Sequence, residues 1–312
     1  MTCTRPLLRY HGGKWRLAPW IIRHFPKHRI YVEPYAGAAS VLLRKPRAYA
    51  EIVNDLDGEL ITLFRVVRDQ GPELARRLHL TPFARAEYTA AQDPQPADDV
   101  ETARAMVVRS LMGFGSDAVF RGRRSGFRGT ADRSGTTPAH DWRNYPAKLV
   151  HIIERLRGVV IESRPALTVA EYYDAPEALI YADPPYVHST RMPGGHGPSY
   201  TYEMTDDDHA AMIDRLKHLT GMVILSGYRC DLYDQRLRTW TRVDLNTVAD
   251  GARPRLESLW LNPRADQALR RETLPLFDTP PAPPVPERPS PPARHSPAQR
   301  DDVGSLPPPE AP

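Results

Sequence analysis

A short apolar run leads directly into an acid, two prolines and an aromatic ring in Leu179-Ile180-Tyr181-Ala182-Asp183-Pro184-Pro185-Tyr186. The apolar run predicts a buried β-strand, and proline cannot continue a central strand, so the strand must end before Pro184. In open α/β sheets, ligands bind at the carboxyl ends of the strands. We therefore expect a sheet with a ligand site at this edge.

Six further apolar segments predict strands, at residues 29–33, 51–54, 159–162, 222–226, 241–245 and 256–261. Helical spacing is clearest at residues 40–44, 58–68 and 206–219. Thr205 is the expected N-cap of the last helix, because acids follow it in the first turn. Alternation of strands and helices is typical of an α/β domain with a mostly parallel sheet.

Length and composition narrow the class of protein. The 312 residues, 41% of them apolar, suffice for one large domain or one domain with an insertion. We expect a cytoplasmic protein, since no apolar run approaches a membrane span and the N-terminus has no signal core. Cys3 and Cys230 lack partners at ligand spacing, which predicts neither a disulfide framework nor a metal site. The net charge of +4 is compatible with a nucleic-acid partner.

Residues 71–145 break the alternation of strands and helices. Helical patterns there are followed by an Arg-, Gly- and Ser-rich stretch without a convincing strand, so we predict an inserted module. Residues 119–143 hold six arginines against two aspartates, interleaved with Phe120, Phe127 and Trp142. Arginine suits phosphate and guanine recognition, and aromatic rings can stack on bases or wedge between them. A solvated, flexible loop would have the same composition.

Residues 183–186 also predict a chemistry. An amino group on an aromatic heterocycle needs acceptors for its N–H bonds and a flat ring to stack on once the base leaves the duplex. Carbonyl oxygens held by the prolines, the acid and the aromatic ring supply both. The candidate catalytic residues are therefore Asp183, Pro184, Pro185 and Tyr186. A Pro-Pro turn that only caps a strand is the structural alternative.

A second segment, residues 33–37 (EPYAG), follows the strand at 29–33. Small residues at a strand-to-helix turn allow a ligand to approach the backbone closely. Asp55 follows the next strand, roughly 20 residues on, where an acid conventionally receives ribose hydroxyl groups. A helix N-cap is the other interpretation of Asp55.

A third segment, residues 10–14 (YHGGK), places a glycine pair between an aromatic ring and a cation. The turn allows Tyr10 and Lys14 to point into one site, where the cation could meet a carboxylate and the ring an adenine or sulfonium group. An ordinary turn would have the same sequence.

These segments, in this order, resemble the Dam-type DNA adenine methylases, the D12 class of N6-adenine-specific methyltransferases. The resemblance covers about residues 7–263 and rests on residues 10–14, 32–37, 54–55, 183–186, 226–228 and 259–263. It implies a Rossmann-like class I S-adenosylmethionine-dependent methyltransferase fold. The catalytic domain would comprise residues 1–70 and 146–265, and residues 71–145 would form a mostly helical target recognition domain.

The resemblance also implies function and roles. The protein would methylate N6 of a flipped adenine at specific sites in double-stranded DNA, with S-adenosyl-L-methionine as donor and no metal. The residues implied to bind the cofactor are Tyr10, Gly13, Lys14, Glu33, Pro34, Gly37, Asp55 and Asp183. The residues implied to contact DNA, where the family has its DNA-reading hairpin, are Arg121, Arg123, Arg124 and Arg128.

The sequence departs from the family pattern at three positions. Tyr35 and Ala39 stand where many members have Phe and Gly. Pro165 follows the third strand where many members have an acid that holds the cofactor adenine. We therefore expect backbone groups to hold the adenine there.

Other activities remain open. N4-cytosine methylation uses the same geometry, although Ser more often stands at the position of Asp183. RNA and protein-glutamine methyltransferases share the Pro-Pro-Tyr segment but usually lack the N-terminal segment and the Arg-rich insertion. A catalytically silent DNA-binding protein is the alternative outside the enzymes. Cytosine C5 methylation is disfavoured, because no Cys follows a Pro in a candidate loop.

From residue 278 the composition changes, and thirteen of the residues from there to 312 are proline. Such a segment cannot bury enough apolar surface to offset its ordering entropy, so residues 279–312 are predicted to be a disordered tail. Residues 274–277 (LPLF) resemble peptides that dock on bacterial sliding clamps, or else pack on the domain. A cognate restriction endonuclease and a location at the nucleoid of a bacterial or phage-infected cell complete the expected context.

Overall fold

A seven-stranded sheet forms the centre of the computed structural model, which describes residues 3–122, 125–129, 136–187, 202–248 and 254–273. In chain order the strands are β1 (Ile30–Glu33), β2 (Ala50–Asn54), β3 (Val159–Glu162), β4 (Ala178–Ala182), β5 (Met222–Tyr228), β6 (Thr241–Val248) and β7 (Pro254–Leu261). The seven predicted strands are confirmed. Their ends differ most at β6, which continues beyond the apolar residues from which it was predicted.

The order of the strands is β3-β2-β1-β4-β5-β7-β6. Strand β1 pairs in parallel with both β2 and β4, and β7 pairs antiparallel with β5 and β6. The chain runs outward from β1 to β3 and then returns to β4, so the order reverses between β1 and β4. This arrangement confirms the predicted Rossmann-like α/β fold, and such a reversal opens a crevice at the carboxyl ends of the two strands.

Helices cover both faces of the sheet. They are α1 (Ala18–Ile22), α2 (Ser40–Arg44), α3 (Gly58–Leu80), α4 (Arg85–Ala90), α5 (Asp99–Met112), α6 (Pro138–Leu156), α7 (Ala166–Tyr172), α8 (Asp206–Lys217), α9 (Asp231–Arg236) and α10 (Pro263–Thr273). Every residue of β4 is buried. Leu179 packs with the core of α3, α5 and α6, and Ile180 with that of α7, α8 and α9. Alternation along the strand therefore fills both cores.

Two predicted helices have different ends in the structure. Helix α3 does not stop at Arg68 but continues to Leu80, with non-helical backbone angles at Gln70 and with Pro72 just beyond. Helix α8 ends at Lys217, and Thr205 caps it as predicted. The Thr205 hydroxyl accepts a hydrogen bond from the backbone N–H of Asp208, whose carboxylate accepts one from the Thr205 backbone.

The described part of residues 71–145 lies in α3, α4, α5 and the start of α6, with a 3₁₀ turn at Asp117–Val119. Its isolated β-bridge pairs Gly113 with Phe127. Both α5 and α6 pack against α3. The predicted module boundary at residue 71 lies at the kink in α3, and the one at residue 145 falls inside α6. The division into catalytic and recognition domains stays a prediction.

Residues up to Thr273 form one compact unit by themselves. The predicted tail at 279–312 and the LPLF segment at 274–277 lie outside the described residues. None of the helices in the described part of the chain is both long and apolar enough to cross a membrane.

Candidate active site

A cavity of about 630 Å³ lies at the carboxyl ends of β1, β2 and β4. Every residue predicted to bind the cofactor lines it, as do Pro184 and Pro185. Tyr186, the fourth predicted catalytic residue, is not part of this lining and is buried behind it. The reversal of strand order therefore brings three distant sequence segments to one site.

A buried ion pair joins the first and last of these segments. Lys14 Nζ lies 2.9 Å from Asp183 Oδ2 and donates a hydrogen bond of 3.0 Å to the Gly12 carbonyl oxygen. The backbone N–H of Gly13 donates to the Tyr10 carbonyl oxygen at 3.1 Å, and a Cβ at Gly13 would lie only 3.0 Å from that oxygen. The turn therefore favours glycine at position 13, and it brings Lys14 to Asp183, a partner that the sequence did not identify.

Each charge of the Lys14–Asp183 pair favours the ionised form of the other side chain. Burial lowers the pKa of Lys14, but the negative charges of Asp183 and Glu257 outweigh it, so the pKa is raised on balance. Burial raises the pKa of Asp183, and Lys14 opposes that rise. Asp183 Oδ1 is buried and accepts no hydrogen bond of normal geometry among the described residues, although the nearby Ser226 hydroxyl also opposes the rise in the pKa of Asp183. One carboxylate oxygen is thus held by Lys14 while the other can accept a ligand N–H.

Glu33 supplies a second buried carboxylate to the cavity. Its Oε1 accepts hydrogen bonds from the Tyr31 hydroxyl at 2.6 Å and the Leu42 backbone N–H at 2.9 Å. Its Oε2 is buried without a partner in the part of the chain that the structure describes. Burial raises the pKa of Glu33 to about 7, and Asp183 contributes to that rise. A cationic group at Oε2 would favour the ionised carboxylate.

Asp55 lies between two backbone donors rather than at a helix end. Its carboxylate accepts hydrogen bonds from the N–H groups of Gly37 at 2.9 Å and Asp57 at 3.0 Å. The N-cap of α3 is Asp57, whose side chain accepts from Glu59 and Leu60. The N-cap interpretation of Asp55 is therefore wrong, and its carboxylate belongs to the cavity wall.

A close contact and left-handed backbone angles favour small residues after β1. Gly37 has a φ of +48°, and a Cβ there would lie 3.2 Å from Tyr10 Cε1. Ala39, which stands where many family members have Gly, also has a positive φ, of 51°. A left-handed conformation favours Gly, so Ala39 adopts it at some cost in backbone strain.

Asn54 fixes the ends of three strands. Its side-chain amide donates to the carbonyl oxygens of Pro34 and Arg164, and its Oδ1 accepts from the backbone N–H of Arg164. This places Pro165 and the first residues of α7 in the cavity wall. The expectation that backbone groups hold the cofactor adenine there stays a prediction.

The Tyr186 ring is enclosed by three polar neighbours. Its hydroxyl donates to Glu257 Oε2 at 2.9 Å, and Tyr228 contacts it edge to face with ring centroids 4.3 Å apart. Lys14 Nζ lies 4.7 Å from the ring centroid. Sequence reasoning missed Glu257. A carboxylate within the mostly apolar strand predicted at residues 256–261 was the signal that could have identified it.

Two of the four arginines predicted to contact DNA lie in the described chain. Arg121 is exposed and pairs with Glu59 at 3.2 Å. Arg128 is half-buried and donates to the Leu111 carbonyl oxygen at 3.2 Å. Arg123 and Arg124 lie outside the described residues.

The aromatic residues expected to meet bases have other partners. Phe120 is buried against Tyr10, and the buried Trp142 donates its indole N–H to the Thr81 carbonyl oxygen. Phe127 is half-buried against Phe83 and Tyr88. The expectation is therefore wrong for Phe120 and Trp142, which fill the core.

Phe114 is the exposed ring of this region, with 62% of its surface accessible. Its backbone N–H donates to the Gly126 carbonyl oxygen at 2.7 Å, next to the bridge between Gly113 and Phe127. Phe127 packs against Phe83 and Tyr88, whereas the Phe114 ring is exposed to solvent.

The segment with Arg121 is attached to the cavity wall. His11 Nδ1 lies 2.7 Å from Asp117, and the fully buried Arg109 donates to the Val119 carbonyl oxygen and to Glu59. Glu59 lies in the first turn of α3, directly after the loop that carries Asp55. The start of the Arg-rich stretch therefore rests on the loops that form the cavity.

The chain is similar to several proteins that share one name. A relative from Escherichia coli strain K12, named DNA adenine methylase, is 28% identical over 221 residues, which cover 65% of this chain and 73% of the relative. A protein of the same name from Salmonella typhi is 32% identical over 105 residues, which cover 30% of this chain and 37% of the relative. One from Haemophilus influenzae is 38% identical over 65 residues, which cover 20% of this chain and 22% of the relative. The family model matches residues 10–238, from the Gly-Gly turn to just beyond α9. The chain therefore belongs to the D12 class N6 adenine-specific DNA methyltransferase family.

Proposed function

We propose that this protein transfers a methyl group from S-adenosyl-L-methionine to N6 of an adenine flipped out of double-stranded DNA. The observation that carries the proposal is Asp183 at the end of β4, with one oxygen held by Lys14 and the other without a hydrogen bond of normal geometry among the described residues. Pro184 and Pro185 follow it in the wall of the cavity. An exocyclic amino group needs acceptors arranged in this way.

The cavity suits the proposed cofactor in size and chemistry. Its volume of about 630 Å³ lies within the range of small-molecule sites. Glu33 Oε2, buried and without a partner in the described chain, would accept from the ammonium group of the methionine part. Asp55 would accept from the ribose hydroxyls, and backbone groups beside Pro165 would hold the adenine.

The protein's own groups would prepare the amino nitrogen for attack. When bound, S-adenosyl-L-methionine supplies an electrophilic methyl group on its sulfonium. Asp183 Oδ1 and the Pro184 carbonyl oxygen would accept the two N–H bonds and draw the N6 lone pair out of ring conjugation. Asp183 would also act as the base that accepts the proton lost from N6. Tyr186 would support the flipped base, and no covalent enzyme intermediate is needed.

DNA would lie against the region that carries Arg121 and Phe114. Both side chains are exposed, and the segment between them rests on the loops of the cavity through Arg109. Arg123, Arg124 and Arg128 would contact DNA as well, as the sequence predicts. Residues 71–145 would then form the target recognition domain.

Methylation of plasmid DNA from a strain without adenine methylation tests the activity. We expect the purified protein and radiolabelled S-adenosyl-L-methionine to yield N6-methyladenine after digestion to nucleosides, and Asp183→Ala to abolish it. N4-methylcytosine as the product would establish the rival activity instead. A wild-type protein that binds DNA but neither binds the cofactor nor labels DNA would establish the silent DNA-binding alternative.

Two partners are proposed from the sequence alone. Residues 274–277 would dock on a sliding clamp, and the isolated peptide should bind the purified clamp if they do. A cognate restriction endonuclease would require a specific methylated site, which sequencing of DNA from expressing cells would reveal.

A further inference from the structure

We propose that Glu257 is a positioning residue for methyl transfer, which acts by fixing the Tyr186 ring through its hydroxyl group. This inference rests on the proposed function, because it concerns the residue that would support the flipped base. Neither Glu257 nor Tyr186 is part of the cavity lining, so the proposed action is indirect, through the Tyr186 ring and the Lys14 ammonium group beside it.

Both partners of this hydrogen bond are removed from solvent. Tyr186 is 8% exposed and Glu257 is 7% exposed, and the hydroxyl donates to Glu257 Oε2 at 2.9 Å. A hydrogen bond from a neutral donor to a buried carboxylate is stronger than one between neutral groups. The hydroxyl is the end of the side chain farthest from the backbone, so anchoring it fixes the tilt of the ring as well as its place.

The anchor comes from a distant part of the sheet. Tyr186 follows β4, whereas Glu257 lies on β7, and β5 separates the two strands. Glu257 pairs in register with Tyr228 at the end of β5, and Tyr228 packs against the Tyr186 ring. Arg255, two residues before Glu257, donates to the Tyr228 hydroxyl at 2.6 Å. Strand β7 thus holds both tyrosines.

The third contact of the ring connects it to the methyl-transfer site. Lys14 Nζ lies 4.7 Å from the Tyr186 ring centroid and 2.9 Å from Asp183 Oδ2. A rotation of the ring would therefore disturb the ammonium group that holds Asp183. Catalytic groups act only when held close to their productive geometry, so a fixed ring should matter most after substrates are bound.

Burial of the Glu257 carboxylate costs free energy, which suggests that the carboxylate is kept for its hydrogen bond to Tyr186. Burial raises the pKa of Glu257, which shows that the surroundings disfavour its charge. Leu259, Trp260 and Leu261 of β7 are buried and apolar, and an apolar side chain at position 257 would satisfy the packing at lower cost. The Glu257 carboxylate accepts a hydrogen bond from the Tyr186 hydroxyl, and the positive charge of Lys14 favours its ionised form.

The test is a double-mutant cycle of Glu257→Ala and Tyr186→Phe in the full-length protein. Single-turnover methylation rates, the cofactor Kd and the fluorescence of 2-aminopurine at the target adenine are measured for each variant. We expect each single change to slow methyl transfer between about tenfold and about a hundredfold. We expect the double variant to be no slower than the slower single variant, with the cofactor Kd changed less than about twofold.

A conservative variant separates positioning from simple structural support. Glu257→Gln keeps an acceptor for the Tyr186 hydroxyl, so it should recover much of the rate and the 2-aminopurine signal that Glu257→Ala loses. Equal loss in both variants would overturn the inference. So would multiplicative effects in the double variant, or a fall in cofactor affinity that parallels the fall in rate.

Asp244→Asn is the matched control, because Asp244 accepts a hydrogen bond from Ser258, the residue next to Glu257, at 2.7 Å on the adjoining strand β6. It should leave the rate unchanged. Failure of the wild-type protein to methylate DNA would refute the proposed function, whereas an active wild type with an unaffected Glu257→Ala variant would refute this inference alone.

Discussion

Lys14 and Asp183 form a buried ion pair of 2.9 Å that connects the N-terminal Gly-Gly turn to the carboxyl end of β4. The two residues are far apart in the sequence, and each compensates a charge that burial would otherwise disfavour. The second oxygen of Asp183 lies buried beside them. Structural stability and the proposed chemistry therefore depend on the same carboxylate.

We predict that Lys14→Met lowers the free energy of unfolding by about 3 kcal/mol, because it leaves a buried carboxylate without its partner. Combining it with Asp183→Asn removes both charges and should restore much of that stability. Urea unfolding measures the effect. Methyl transfer should stay absent in the double variant, and additive losses of stability would contradict a pairwise interaction.

A pH dependence should follow from Glu33. Its pKa is about 7 in the folded protein against an ordinary value of 4.5, so between these values the folded state binds more protons than the unfolded state. The contribution of Glu33 to stability is therefore present at low pH and is lost as the pH rises through this window. A cationic ligand favours the ionised form, so its affinity should rise over the same window, by at most about tenfold per pH unit.

Calorimetric titration with S-adenosyl-L-methionine between pH 5.5 and 7.5 checks this prediction. Asp183 has a raised pKa as well, and Lys45 and Tyr31 also influence Glu33, so the comparison must isolate one residue. Glu33→Gln should flatten the dependence, whereas the exposed Asp69→Asn should leave it intact. An equally steep dependence in Glu33→Gln would assign it to another group.

Arg109 should be among the costliest residues to replace. It is fully buried, and its guanidinium donates to the carbonyl oxygens of Ala91 and Val119 and to Glu59. Arg109→Met removes the donor to the two carbonyl oxygens and leaves Glu59 with the exposed Arg121, so we expect a loss of about 3 to 5 kcal/mol in the free energy of unfolding. Arg76→Ala, which removes an ion pair on the exposed surface of α3, should cause no measurable loss. Similar midpoints for both variants would contradict the assignment.

The sequence predicted the seven strands because their apolar runs are short and are bounded by glycine, proline and acids. It predicted residues of the cavity at the ends of β1, β2 and β4, because those ends meet wherever the strand order reverses. The partner of Lys14 could not be predicted, since that contact depends on how the chain crosses over. Glu257 was missed for the same reason, as its partner lies two strands away.

The error at Phe120 and Trp142 has a different cause. Aromatic rings among arginines suit DNA binding and core packing equally, and composition does not reveal which face of the chain is buried. Phe120 packs against Tyr10, and Trp142 lies in α6 and donates to the Thr81 carbonyl oxygen, so both placements depend on contacts between distant segments. The bridge between Gly113 and Phe127 is a further contact of this kind.

That bridge supports the last prediction, which concerns Phe114. Gly113 permits the close approach of the chain, since a Cβ there would lie 2.4 Å from the Ala118 Cβ and 2.6 Å from the Arg109 carbonyl oxygen. The loop is therefore held in place while the Phe114 ring projects from it. A fixed, exposed ring beside a basic stretch is suited to stacking on a base or wedging into the duplex.

Phe114→Ala should weaken binding to duplex DNA by about tenfold, because stacking of a base on an aromatic ring contributes on the order of 1 to 3 kcal/mol. Fluorescence anisotropy at fixed salt measures the affinity, since the phosphate contacts of the arginines vary with salt. The thermal midpoint and the cofactor Kd should not change, because the ring is exposed and lies outside the cavity lining. Val150→Ala removes an exposed apolar side chain from α6 and should leave DNA affinity unchanged. Equal affinities for the two variants would mean that Phe114 does not contact DNA.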